Sequence, residues 1–121
     1  MLLDYIYLNN NDRRVFISNM LHDIKYGKNT DILRSVYNKC DLSCIERLNP
    51  AELRELCILA AYVEQAFYNR GTEAPAWVYD KRLVLERPYF IGAQTHDLIL
   101  HAPQACLNHN VFMLRNNFEV Y

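Results

Sequence analysis

The sequence predicts a mainly helical domain. Three observations predict it. Asn49-Pro50 followed by Glu52 opens a long apolar segment that Gly71 closes. Phe16, Met20 and Ile24 recur at every fourth position, with Ile17 and Leu21 beside them. Only three glycines and four prolines punctuate 121 residues, too few for a loop-rich or repeat-built fold. We therefore expect a single compact domain over residues 1–121, a bundle of four to six helices, with room for a short edge hairpin near the C-terminus. A hydrophobic content of 51% supplies a core without disulfides or a structural metal.

The first long helix is expected from Asp12 to Lys25. Asn11 or Asp12 caps it, its apolar stripe faces the core and Gly27 stops it. Leu2 to Leu8 reads as a short helix or a packed arm before Asn9. A second helix runs from Thr30 or Asp31 to about Asn38, with Ile32, Leu33, Val36 and Tyr37 as its apolar side. Asp41 to Leu48 holds one or two turns. The third helix begins with Asn49 at the N-cap, Pro50 at the first position and Glu52 at the third. There a carboxylate can reach back to unpaired amides, and proline needs no amide bond. It continues to Tyr68 or Asn69. Leu53, Leu56, Cys57, Ala60, Val63 and Phe67 lie along one side, while Ile58, Leu59, Ala61, Tyr62 and Ala66 widen the apolar surface. A helix apolar almost all round belongs at the centre.

Beyond Gly71 the character changes. Pro75 breaks helical continuity and Ala76-Trp77 should pack back on the core. Leu83-Val84-Leu85 forms a turn or short strand. Pro88 biases Arg87 toward extended backbone. Thr95 can cap a short helix over His96 to His101, which Pro103 limits. Val111 to Leu114 is a short helix or edge strand, and Asn116-Asn117 a turn.

Charge excludes some functions. Net charge is −1, and the stretches 1–48, 49–71 and 72–121 carry +1, −1 and −1. No half has the basic excess of a general nucleic-acid binder. Arg13, Arg14, Lys25 and Lys28 are the residues that folding would have to gather into a basic patch. A helix-turn-helix over residues 30–37 and 42–48 would have Arg47 as its single basic reader. Glycines at 27, 71 and 92 build no phosphate loop. The N-terminus has no basic region before a long apolar core, and no apolar run is long enough to span a bilayer, so cytoplasm is the expected location, without membrane contact.

The candidates for chemistry are few. Cys40 and Cys44 share a helical spacing, and Cys106 and His109 add a three-residue spacing that would complete a four-ligand zinc site. Four largely buried free thiols are the simpler expectation, and the sequence points to no cofactor or metal. Cys106 with His109 is also a nucleophile–base spacing, without a third orienting group. Glu64 stands inside the apolar third helix, where a buried carboxylate must find donors; Arg82 and Arg87 are the expected partners. A small enzyme would combine Glu64 with His96, His101 or His109. Trp77, Tyr79, Arg82, Tyr89 and Phe90 mix aromatic area with charge, as the centre and rim of a protein interface do.

Ala74-Pro-Ala-Trp77, Leu83-Val-Leu85, Pro88-Tyr-Phe90, Ala102-Pro103 and His109-Asn-Val-Phe112 together resemble small uncharacterised bacterial proteins, some encoded beside toxin–antitoxin or mobile-element genes. The resemblance names no established activity and carries no catalytic residue; an antitoxin-like or regulatory accessory role is expected instead from the near-neutral charge, the aromatic-rich connection and the lack of a convergent catalytic set. Where those proteins end in a polar, basic stretch, this chain ends in Asn116-Asn-Phe-Glu-Val-Tyr121. The expected function is a non-enzymatic protein-binding module with a protein partner or self-association. A nucleic-acid-associated regulator and a small enzyme built on Glu64 are the alternatives.

Overall fold

The computed structural model describes residues 2–92, 98, 101–113 and 115–118. The fold is mainly helical. A 3₁₀ segment, Leu2–Tyr7, leads into α1 (Asn10–Tyr26) and α2 (Thr30–Tyr37). A 3₁₀ turn at Ile45–Arg47 precedes the central α3 (Pro50–Arg70), and a further turn, Ala76–Tyr79, follows it. The chain then forms β1 (Tyr89–Phe90), α4 (Gln104–His109), β2 (Val111–Phe112) and a last 3₁₀ turn at Arg115–Phe118.

The caps explain where the helices begin. Asn9, rather than Asn11 or Asp12, accepts from the Asp12 amide at 2.8 Å, so α1 starts two residues before Asp12. Asn29 does the same for α2, accepting from the amides of Asp31 and Ile32. In α3 the expected box is complete. Asn49 Oδ1 accepts from the Glu52 amide at 2.8 Å, and Glu52 Oε1 accepts from the Asn49 amide at 3.0 Å.

The two stopping glycines work differently. Gly71 adopts φ 84°, the left-handed conformation that glycine enters without steric cost. Gly27 has φ −59° and is required for space. A Cβ there would lie 2.6 Å from both the Asp23 carbonyl oxygen and Leu33 Cδ1.

α3 is the hub. Leu56, Cys57, Leu59, Ala60, Ala61, Val63 and Phe67 are fully buried, which is what its nearly continuous apolar surface dictates. α1 lays Ile17, Met20, Leu21 and Ile24 against it, and α4 covers another face with Ala105 and Cys106. All these side chains except Ala105 belong to one connected core with Trp77, Val78, Leu83, Val111 and Met113.

The strand pair differs from the expected hairpin. β1 and β2 run parallel, Tyr89 beside Val111 and Phe90 beside Phe112. A hairpin needs neighbouring antiparallel strands. Here α4 lies between the two, and a crossover of that kind leaves the strands parallel. Residues 83 and 84 form a bend and Leu85 is irregular rather than part of a strand, yet the segment joins the same seam. The Leu85 amide donates to the His109 carbonyl at 3.2 Å, and Asn110 Nδ2 to the Leu85 carbonyl at 2.8 Å. Asn110 sits at φ 60°, a conformation asparagine tolerates better than most residues, and so ends α4. The helix expected over His96 to His101 falls mostly outside the described residues.

Candidate functional site

Glu64 is the polar intruder of α3, and the structure shows what holds it. The residue is 8% exposed. Oε1 lies 3.0 Å from His109 Nε2, and Oε2 accepts from Asn108 Nδ2 at 2.6 Å. The expected partners, Arg82 and Arg87, are not used. Arg82 is bound bidentately to Asp80, at 3.0 and 2.9 Å, because the Asp80 turn places the two side chains together in solvent. Of the three histidines weighed with Glu64, His109 meets it, His101 is exposed and His96 lies outside the described residues.

The proton arrangement follows from the partners. The Leu83 carbonyl, 2.6 Å from His109 Nδ1, can only accept, so Nδ1 carries a proton. The Nε2–Oε1 contact then needs one more proton, on either atom. The pair is neutral as a whole in both forms, which suits a site where His109 is 2% exposed. Four segments meet here: α3, α4, the Leu83 bend and, through Leu85 and Asn110, the strand seam. Gln104 donates to Asn108 Oδ1 at 3.1 Å and extends the chain of bonds to the surface.

Beside this network lies a cleft of about 340 Å³. Glu64, Gln65, Tyr68, Glu73, Tyr79 and Gln104 are among its lining residues. The Tyr79 phenol is shifted upward, first by partial burial and further by the negative fields of Glu64 and Glu73, against an opposing hydrogen bond from Ala74.

The nucleophile pairing of Cys106 with His109 does not form. Both imidazole nitrogens are already committed, and Cys106 is fully buried with its thiol pushed upward by desolvation. Cys57 is likewise fully buried, and desolvation pushes its thiol up to about 12 from 9.0. At pH 8 that displacement removes about 1,000-fold of the reactive thiolate. With the thiol also out of reach of the reagent, iodoacetamide should leave Cys57 essentially unlabelled in folded protein and label it readily once urea unfolds it. Peptide mass spectrometry of a labelling time course checks this. Cys40 and Cys44 are half-buried. Among the described residues no group of three or more His, Cys, Asp or Glu is arranged to hold a metal.

The aromatic connection divides into inner and outer parts. Trp77 is 7% exposed and donates its indole N–H to the Tyr37 carbonyl at 2.6 Å, so it faces the core rather than a partner. Tyr89 and Phe90 are half-buried. The Arg54 guanidinium lies 4.6 Å from the Tyr89 ring centre, and Phe90 stacks on Phe112 at 5.3 Å. Tyr79 and Arg82 are exposed. These five residues do not form one outward aromatic patch.

A different surface is open. On α2, Tyr37 is buried, whereas Ile32 is 60% and Val36 50% exposed. A groove of about 590 Å³ runs beside it, with Leu2, Phe16, Met20, Val36 and Tyr37 among its walls. His22, Asp23 and Lys39 lie at the same groove, where Asp23 accepts from the Tyr37 hydroxyl at 3.1 Å. The sequence held the signal for this surface. Positions 32 and 36 form one ladder and 33 and 37 another, about 100° round the helix. A helix of eight residues packing on one side buries only one of them.

Of the four basic residues weighed as a patch, Arg13 is withdrawn from the surface. Arg13 is turned inward, donating to the carbonyls of Tyr5 and Ile6 at 3.1 and 2.6 Å and pairing with Glu55 at 3.4 Å. The segment that would serve as a recognition helix is one 3₁₀ turn, Ile45–Arg47. No helix among the described residues is long and apolar enough to cross a membrane. Compared with known proteins, the chain matches no family model, no curated protein and no solved structure.

Proposed function

We propose that the protein is a non-enzymatic binding module, an antitoxin-like or regulatory accessory subunit, and that the outer face of α2 with the adjoining groove receives an amphipathic helix of a protein partner. The observation that carries this reading is the exposed Ile32–Val36 ladder. Across the groove, Phe16 and Met20 of α1 are also spaced by four. Val36 from the first ladder and Phe16 and Met20 from the second line this groove, an apolar channel of the kind into which a third helix lays an i, i+4 ridge. Asp23, His22 and Lys39 at the groove supply polar contacts of both signs for the partner's flanks.

Changing Ile32 and Val36 to Asp should abolish capture of the partner. It should leave the melting temperature almost unchanged, because exposed side chains contribute little to the core. The check is recovery of tagged wild type and I32D/V36D from the cells of origin, followed by light scattering and circular dichroism. One stoichiometric protein partner, present only with wild type, supports the reading. A bare monomer or a self-oligomer from wild type contradicts it.

The Glu64–His109 pair favours a second reading, acid–base chemistry in the adjoining cleft. Its weakness is that every ring nitrogen and carboxylate oxygen of the pair already has an internal partner. A satisfied network of this kind serves to fix a fold. Glu64→Gln separates the readings: it would remove an acid–base activity and leave partner capture intact.

A further inference from the structure

A third cavity, of about 580 Å³, opens between α1, α3 and β1 on residues the binding reading does not use. Its volume falls in the range of small-molecule sites. Ile17 of α1 and Ile58 of α3 contribute apolar lining and are 8% and 5% exposed. Tyr62 and Tyr89 add aromatic rings, and both are held. Asn117 bonds to the Tyr62 phenol, Phe118 packs 5.0 Å from the Tyr62 ring, and Arg54 lies over Tyr89.

The charges lining this cavity do not cancel. Arg13 and Glu55 neutralise one another, and the remaining reach of Arg13 goes to two backbone carbonyls. Arg14 is exposed, lines the same cavity and makes no ion pair among the described residues. Ser18, one turn along α1, adds a hydroxyl. A cavity with an apolar base, two fixed aromatic rings and one uncompensated guanidinium among its lining residues is complementary to a flat ring bearing a single negative group. The ring finds dispersion and edge contacts, and the anion finds a charge-assisted hydrogen bond.

We infer that this cavity is a binding site for a small planar aromatic anion, held by Arg14 at its charged end and by Ile17, Ile58, Tyr62 and Tyr89 around its ring. The site is separate from the α2 face, so its occupation can be tested without a protein partner.

The probe is 2-naphthoate, with 2-naphthamide as its uncharged isostere, titrated into ¹⁵N-labelled full-length protein. Saturable amide shifts are expected at the cavity residues. Both 2-naphthamide and the Arg14→Glu variant should show affinity weakened by at least about tenfold, the scale of one charge-assisted contact. Ser18→Trp, at an exposed position, should block the cavity while the far-ultraviolet spectrum stays native. Absence of saturable shifts would overturn the inference. So would shifts confined to the α1–α2 groove, or equal affinity in Arg14→Glu.

Discussion

Replacing His109 with Ala is expected to destabilise the protein by about 3–5 kcal/mol, the range found when one partner of a buried pair is removed. The reason is what remains behind. Glu64 would stay 8% exposed without the group at Oε1, and the Leu83 carbonyl would lose its donor. The Leu83 bend would lose its side-chain tie to α4, and α4 would keep only the Asn108 bond to Glu64. Glu64→Gln should cost only about 1 kcal/mol, because its amide can donate to a neutral Nε2 and its oxygen can still accept from Asn108. Replacing Glu64 by Leu together with His109→Phe should recover only part of the loss, since an apolar pair of similar volume needs no buried proton while the Leu83 carbonyl and the Asn108 amide lose these partners. Urea denaturation followed by the fluorescence of the single tryptophan measures all three. A small loss in His109→Ala would mean that the pair is solvated and not a lock.

Trp77→Ala should have a loss of comparable size, about 3–5 kcal/mol, from the cavity left by a large buried ring. Trp77 joins the turn after α3 to the end of α2 through its bond to the Tyr37 carbonyl. Tyr37 in turn meets Phe67 edge-on at 6.3 Å, so the ring supports the floor of the exposed groove as well as the core. Trp77→Phe keeps most of the volume and leaves the Tyr37 carbonyl unpaired, at a cost of about 1–3 kcal/mol. Circular dichroism during urea unfolding gives both values. If Trp77→Ala were as stable as wild type, the indole would be a surface group rather than an anchor.

The parts of the fold legible in the sequence are those fixed by neighbours along the chain. Asn49, Pro50 and Glu52 specify the start of α3 because the capping partners are three residues apart, and Gly71 specifies its end through φ 84°. The apolar encirclement of α3 likewise places it at the centre. What was illegible depends on distant segments. The parallel pairing of Tyr89 with Val111 is set by how α4 returns across α3, and no local pattern encodes it. Glu64 could be recognised as needing a partner, but not that Asn108 would share it with His109. Arg82 carried the more suitable charge, yet it is closed off by Asp80 two residues away. Trp77 was ambiguous for a related reason. A tryptophan after a central helix can face either way, and the Tyr37 carbonyl that draws it inward lies 40 residues earlier.

The open face of α2 is where the binding account is most exposed to refutation. The most direct measurement places a photo-crosslinking amino acid at Val36, with Lys81 as a control site, and irradiates the protein in the cells of origin. One dominant adduct is expected from position 36, with a protein of different mass, and none from position 81. No adduct from position 36, equal yields from both positions, or an adduct with a second copy of this chain would contradict it.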